Sequence, residues 1–78
     1  MERRAAIRHR LFKAATIGVG EGAIDCIVKN RSQAGAALEV AKSLFIPDRF
    51  TLSVPSDQLK RRCHIVWRTK ERIGVAFD

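Results

Sequence analysis

The amino-acid sequence predicts an all-β protein, a small six-stranded antiparallel β-barrel preceded by a flexible basic N-terminal arm. Three observations carry that expectation. Apolar residues recur at every second position in several short runs, the period of a strand with one face turned inward. Gly, Pro, Asn and Asp, the residues that make turns, cut those runs apart. Six such segments in 78 residues also form a basic, partly apolar sheet whose edges would invite aggregation unless it closes on itself.

Each element follows from its residues. Residues 1–10 hold Arg3, Arg4, Arg8 and Arg10 without a sustained apolar period, and read as an exposed arm that becomes ordered around a ligand. On a helix, Arg4 and Arg8 would share one face at i and i+4, and such a face is ordinarily just solvated. Leu11 to Val19 reads as the first strand. Gly18, Gly20 and Gly22 punctuate the turn to a second over Ala23 to Lys29, where Ile24, Cys26 and Val28 alternate with Asp25, Ile27 and Lys29. The run Gly18-Val-Gly-Glu-Gly22 has neither the GxGxxG spacing opening a helix nor the Gly-Lys-Ser/Thr of a phosphate loop, so it is a hairpin turn. Asn30 to Gly35 interrupts the second strand. Taken alone it is an ordinary connection, because Asn and Ser bond their own neighbouring backbone and Gly closes such turns.

Gly35 to Phe45 divides the criteria. Its alanine-rich residues are good helix formers at helical spacing, yet Leu38 and Val40 alternate with Glu39 and Ala41, and Pro47-Asp48 soon ends the segment. Phe50, Leu52 and Val54 form a strand bounded by Pro47-Asp48 and Pro55-Ser56-Asp57. Arg62 to Arg68 follows, with Cys63, Ile65 and Trp67 on one face, and pairs across Thr69-Lys70-Glu71 with Arg72 to Phe77 as a hairpin.

Length and composition narrow the function classes. A chain of 78 residues with 46% hydrophobic and 29% charged residues suits one soluble domain, spanning 1–78, with a modest core. Its net charge of +7 favours anionic partners, and the cations crowd into the first thirteen residues and into Lys60-Arg61-Arg62. Cys26 and Cys63 are far apart and lack CxxC spacing, so buried free thiols are expected. His9 falls in the arm and His64 on the outer side of a strand, and the carboxylates are scattered. No catalytic set or metal site is formed, and an enzyme is not expected. No apolar leader follows Met1 and no apolar stretch approaches the roughly 18 residues of a membrane span, so the expected location is the cytoplasm, with no membrane partner.

Two polar patterns carry the functional signal: Arg4-Ala-Ala-Ile-Arg8 and, after 21 residues, Asn30-Arg-Ser32-Gln-Ala-Gly35. Arginine forks grip phosphate or the O6/N7 edge of guanine, Asn and Ser offer short orientable polar atoms, and Gly admits close backbone approach. Together they point to a guanine-nucleotide site. In this order and at this separation they resemble the RxxxR and D/NxSxxG signature of the PilZ family, which binds the bacterial second messenger cyclic di-GMP. The closing segment, in which Val66-Trp67 leads into Gly74-Val-Ala-Phe77, is similar to that family's last hairpin. The resemblance covers nearly the whole chain.

That resemblance implies a strand rather than a helix over Gly35 to Phe45, completing a PilZ-like barrel. The C-terminal helix that the family often adds is not evident, which puts in doubt any lid or partner contact such a helix supplies. It implies a cyclic di-GMP receptor, without a cofactor, that holds its ligand between the arm and the barrel rim and signals by ordering the arm. Arg4 and Arg8 would contact phosphates and guanine edges, Asn30 and Ser32 would bond guanine or ribose, and Gly35 would let the backbone close beneath. Arg3 and Arg10 would be auxiliaries. A downstream protein partner, acting in motility, exopolysaccharide production or adhesion, is implied without a choice among them. Two alternatives stand beside this reading. One is a degenerate PilZ-like barrel that serves as a protein-interaction module. The other is a basic barrel that binds nucleic acid, disfavoured because at least three of the five aromatics (Phe12, Phe45, Phe50, Trp67 and Phe77) fall on expected core faces.

Overall fold

Alternation between buried and exposed side chains runs through most strands, and it places one apolar face of the sheet inside a closed surface. The computed structural model describes residues 12–78. The expectations for the arm and for Arg3, Arg4, Arg8 and Arg10 lie outside the described residues. Strands β1 (Lys13–Val19), β2 (Gly22–Arg31), β3 (Gly35–Glu39), β4 (Arg49–Val54), β5 (Leu59–Arg68) and β6 (Arg72–Phe77) form a closed antiparallel barrel in the order β1-β2-β3-β6-β5-β4. Closure comes from β1 against β4, where Ile17 faces Leu52. Among the described residues there is no α-helix, only 3-10 turns at Ser43–Phe45 and Pro55–Asp57, and no helix long and apolar enough to cross a membrane.

Ile17, Val28, Leu38, Leu52, Val54, Cys63 and Ile73 are fully buried and fill the interior. Each large aliphatic side chain contributes roughly 1.5–3 kcal/mol by leaving water. Cys26 and Cys63 are buried free thiols, as their apolar settings predict. Burial pushes the Cys26 thiol up to about 12 and the Cys63 thiol up to about 11. The β1–β2 hairpin turns through Gly20 and Glu21, with Gly20 at φ +57°, a left-handed backbone that glycine adopts without strain.

Several boundaries differ from the sequence expectation. Strand β2 continues to Arg31, so Asn30 lies in the strand and not in the turn, because a bulge at Lys29 resets the register and lets Asn30 pair with Ala37. Strand β3 stops at Glu39 and does not reach Phe45. The Val40 N–H still donates in register to the Glu71 carbonyl, but the Ser43 N–H reaches the Lys70 carbonyl out of register, and the chain leaves the ladder for the 3-10 turn. Strand β5 begins at Leu59, three residues early, since Gln58 at φ +53° closes a tight turn that sets Leu59 against Val54. Trp67 does not share the inward face of Cys63 and Ile65. A bulge at Val66 puts it opposite Gly74, on the outer surface. Of the five aromatics only Phe50 is buried, with Phe77 packed against the core, so fewer than three lie within it.

Candidate functional site

The β2–β3 connection is built by Ser32. Its Oγ accepts the N–H groups of Ala34 (3.1 Å) and Gly35 (3.3 Å), while its own N–H donates to the Gly35 carbonyl at 2.8 Å. Both hydroxyl lone pairs are thereby used, and the hydroxyl hydrogen is left to donate to an acceptor outside the turn. The Ala34 carbonyl in turn accepts the Phe77 N–H at 2.8 Å, tying the connection to β6. Gly35 is required where the two strands meet: a Cβ there would lie 2.0 Å from the Val75 carbonyl oxygen and 3.2 Å from the Ala76 Cα. The glycine of the motif is thus fixed by the backbone of β6.

Register carries Asn30 into a row across four strands. Asn30 pairs with Ala37, Ala37 with Gly74, and Gly74 with Trp67. Directly opposed residues of antiparallel strands project to the same face, so the row presents an amide at one side, two of the smallest side chains in the middle and an indole at the other. The result is an outward trough of about 400 Å3, lined by Asn30, Ser32, Gly35, Ala37, Trp67 and Gly74 among others. Three inter-strand steps separate the ends, about 14 Å along the sheet. The Trp67 indole lies on Gly74, filling the space that a Gly74 Cβ would need, and remains 45% exposed.

The trough sits near the point where the chain enters the barrel. Strand β1 starts with Lys13 opposite Val28, two residues from Asn30, and the ring of Phe12 lies under the Lys29 ammonium at 4.2 Å. Arg8 is four residues from Phe12 in the sequence, so roughly 14 Å of extended chain separates them at most. Lys29 is itself paired with Glu39 at 3.2 Å. Arg31 turns away from the trough to Asp57 (3.3 Å), whose carboxylate also takes the Lys13 ammonium. The Lys13 hydrogen bond, with the charges of Lys13 and Arg31, holds the Asp57 carboxyl below its usual range against the opposing effect of desolvation. Among the described residues the three cations nearest the trough share two acids, Asp57 and Glu39, and the trough takes an uncharged amide, hydroxyl and indole from the barrel. Binding a dianion there calls on other cations.

Of the sequence-predicted site residues, Asn30, Ser32 and Gly35 come together in this trough, whereas Arg3, Arg4, Arg8 and Arg10 fall outside the described residues. Trp67, Gly74 and Ala37 line the same trough, and the sequence pattern did not single them out for it. A signal for them existed: Ile73 and Val75 alternate inward, so Gly74 faces out, and a small outward residue leaves room for a large neighbour. A wider concavity of about 680 Å3 on the β1–β4–β5 face is lined by Arg49, Lys60 and Arg62 beside Thr16, Thr51 and Ser53, and Asn30, Ser32 and Gly35 are not part of its lining. The exposed aromatics are dispersed, with Trp67 at the trough, Phe45 at the 3-10 turn and Phe12 against Lys29; this is no stacking stripe for a nucleic-acid strand. His64 bonds the Asp78 carboxylate at 2.7 Å, and this contact, with neighbouring cations, holds the Asp78 carboxyl low. Among the described residues no group of His, Cys, Asp and Glu gathers as metal ligands.

Comparison with known proteins agrees with the geometry. A family model described as the PilZ domain matches residues 2–78, essentially the whole chain. No curated protein and no solved structure gives a significant match.

Proposed function

Because the chain belongs to the PilZ domain family, a family of cyclic di-GMP-binding modules, we propose that it binds cyclic di-GMP in the trough between Asn30 and Trp67 as a receptor and not as an enzyme. The observation that carries this reading is the row Asn30–Ala37–Gly74–Trp67, which sets a hydrogen-bonding amide on one side of the small Ala37 and, on the other, an indole laid over Gly74 as a stacking surface. Asn30 bonds a guanine edge or ribose, the Ser32 hydroxyl donates its free hydrogen, and one guanine stacks on Trp67. Arg4 and Arg8 supply the positive charge that the trough itself lacks, gripping phosphates and the guanine O6/N7 edge, with Arg3 and Arg10 as auxiliaries. The ligand joins the arginine-bearing segment to the barrel, and this union is the signal passed to a downstream protein. Fixing backbone costs about 1–2 kcal/mol per residue, so several arginine contacts are needed to offset it.

Amide shift mapping tests the placement. Addition of cyclic di-GMP to the labelled chain shifts the amides of Asn30 to Gly35, Trp67 and Gly74 and the Trp67 indole N–H, whereas GMP does so only at far higher concentration. Shifts confined to the Arg49, Lys60 and Arg62 face would place the ligand elsewhere and overturn the assignment.

A further inference from the structure

The 3-10 turn Ser43–Phe45 presents two adjacent large apolar side chains to water, Leu44 at 80% and Phe45 at 66% exposure. The turn is not a loose loop. The Ser43 hydroxyl donates to the Thr69 carbonyl and its N–H to the Lys70 carbonyl at 3.1 Å, and Ile46 just beyond is buried. The Arg68 guanidinium donates to the carbonyls of Ser43 and Ile46 (2.9 Å to the latter) and to the Asp48 carboxylate at 3.0 Å. Five hydrogen bonds hold a short segment whose outer surface is apolar. Beside it runs a groove of about 640 Å3, walled by Leu44 and Phe45 on one side and by Arg68 to Glu71 on the other. An exposed apolar pair held in place beside a groove is a candidate interaction surface.

We propose that this turn and groove dock an acidic amphipathic segment of another protein, with apolar anchors against Leu44 and Phe45 and carboxylates against Lys42 and Lys70. Charge selects the occupant. Lys42 and Lys70 border the groove, Arg68 is matched by Asp48, and Glu71 alone opposes the two lysines, leaving a positive rim. A second copy of a chain with net charge +7, or its own segment bearing Arg3, Arg4, Arg8 and Arg10, would bring cations against cations. An anionic bilayer satisfies the charge but not the shape, since a flat lipid surface leaves the groove unfilled where side chains of a helix or strand enter it. The surface is small, so the complex is a transient one. It stands independently of the cyclic di-GMP reading.

Two helical peptides of about 16 residues provide the test, both with Leu at i, i+3, i+4 and i+7, one with Glu and one with Lys on the polar face. Added to the labelled full chain, the Glu peptide shifts the amides of residues 41–46 and 68–71. The Leu44→Ser/Phe45→Ser variant retains its melting temperature and binds that peptide about tenfold or more weakly. In Lys42→Glu/Lys70→Glu the preference moves to the Lys peptide. The proposal is overturned if neither peptide binds, if both bind alike, or if shifts arise elsewhere on the barrel. It is equally overturned if the apolar pair instead mediates self-association or binding to phosphatidylglycerol vesicles without peptide preference.

Discussion

Replacing Gly35 by alanine places one methyl group where two strands touch. The added Cβ meets the Val75 carbonyl oxygen at 2.0 Å and the Val75 carbonyl carbon at 3.1 Å, both backbone atoms with no rotamer by which to withdraw. Relief requires β3 and β6 to part by about 1 Å or more, since overpacked contacts of this kind are resolved by backbone shifts. That movement strains the Phe77 N–H bond to Ala34, which links the connection to β6 and is 2.8 Å in the parent. Overpacking costs about 1–3 kcal/mol and the weakened backbone bond about 1 kcal/mol, so the expected loss is about 2–4 kcal/mol. For a domain of this size that lowers the melting temperature by roughly 10–30 °C. Gly22→Ala is the control, because its Cβ meets only the Val19 carbonyl oxygen at an ordinary 3.7 Å, and its effect stays within about 0.5 kcal/mol. Thermal melts and urea titrations of both variants provide the measurement. If Gly35→Ala melts within about 2 °C of Gly22→Ala, the close approach of β3 to β6 is not real and the structural role assigned to the motif glycine fails.

Three further outcomes are expected. Gly74→Ala puts a Cβ 2.0 Å from the Trp67 Nε1, so the indole swings off the sheet; its fluorescence emission moves to the red and cyclic di-GMP affinity falls about tenfold, whereas unchanged emission would contradict the packing. The Asp57 and Asp78 carboxyls are held below their ordinary value of 3.8, and a depressed carboxyl contributes stability above that value that is lost as pH falls through the folded-state one. The urea midpoint therefore holds down to about pH 5 and drops below about pH 4, less steeply in Asp57→Asn, and an equal drop in that variant would remove Asp57 from the explanation. Cys26 and Cys63 are raised to about 12 and about 11, so near pH 8 a thiol reagent modifies them only as fast as the barrel opens. Rapid native-state labelling would show that the core is not closed over them.

The sequence carried the strands wherever alternation was clean. Ile24, Cys26 and Val28, and Phe50, Leu52 and Val54, follow a period of two that any one-sided strand requires, and both triplets face inward or toward the core. What alternation cannot reveal is a bulge, because an extra residue changes the face of everything beyond it while leaving the composition untouched. The bulges at Lys29 and Val66 do this, one carrying Asn30 into the ladder and the other turning Trp67 outward. Half of the trough therefore stayed hidden even though Asn30, Ser32 and Gly35 were legible as a motif. The end of β3 was hidden for another reason. Alternation of Leu38 and Val40 runs on past Glu39, and the chain leaves the sheet where the carbonyl of the distant Lys70 takes the Ser43 N–H out of register, a tertiary cause without a local signature.

Calorimetric titration of cyclic di-GMP into the full chain at moderate salt, with GTP as competitor chemistry and Arg8→Ala and Asn30→Ala as variants, tests the central claim most directly. Selective binding of cyclic di-GMP over GTP is expected, weakened by about 1–3 kcal/mol in each variant, roughly tenfold to a hundredfold. Absence of binding heat together with no rise in melting temperature at saturating ligand, or equal affinity in Arg8→Ala, would contradict it.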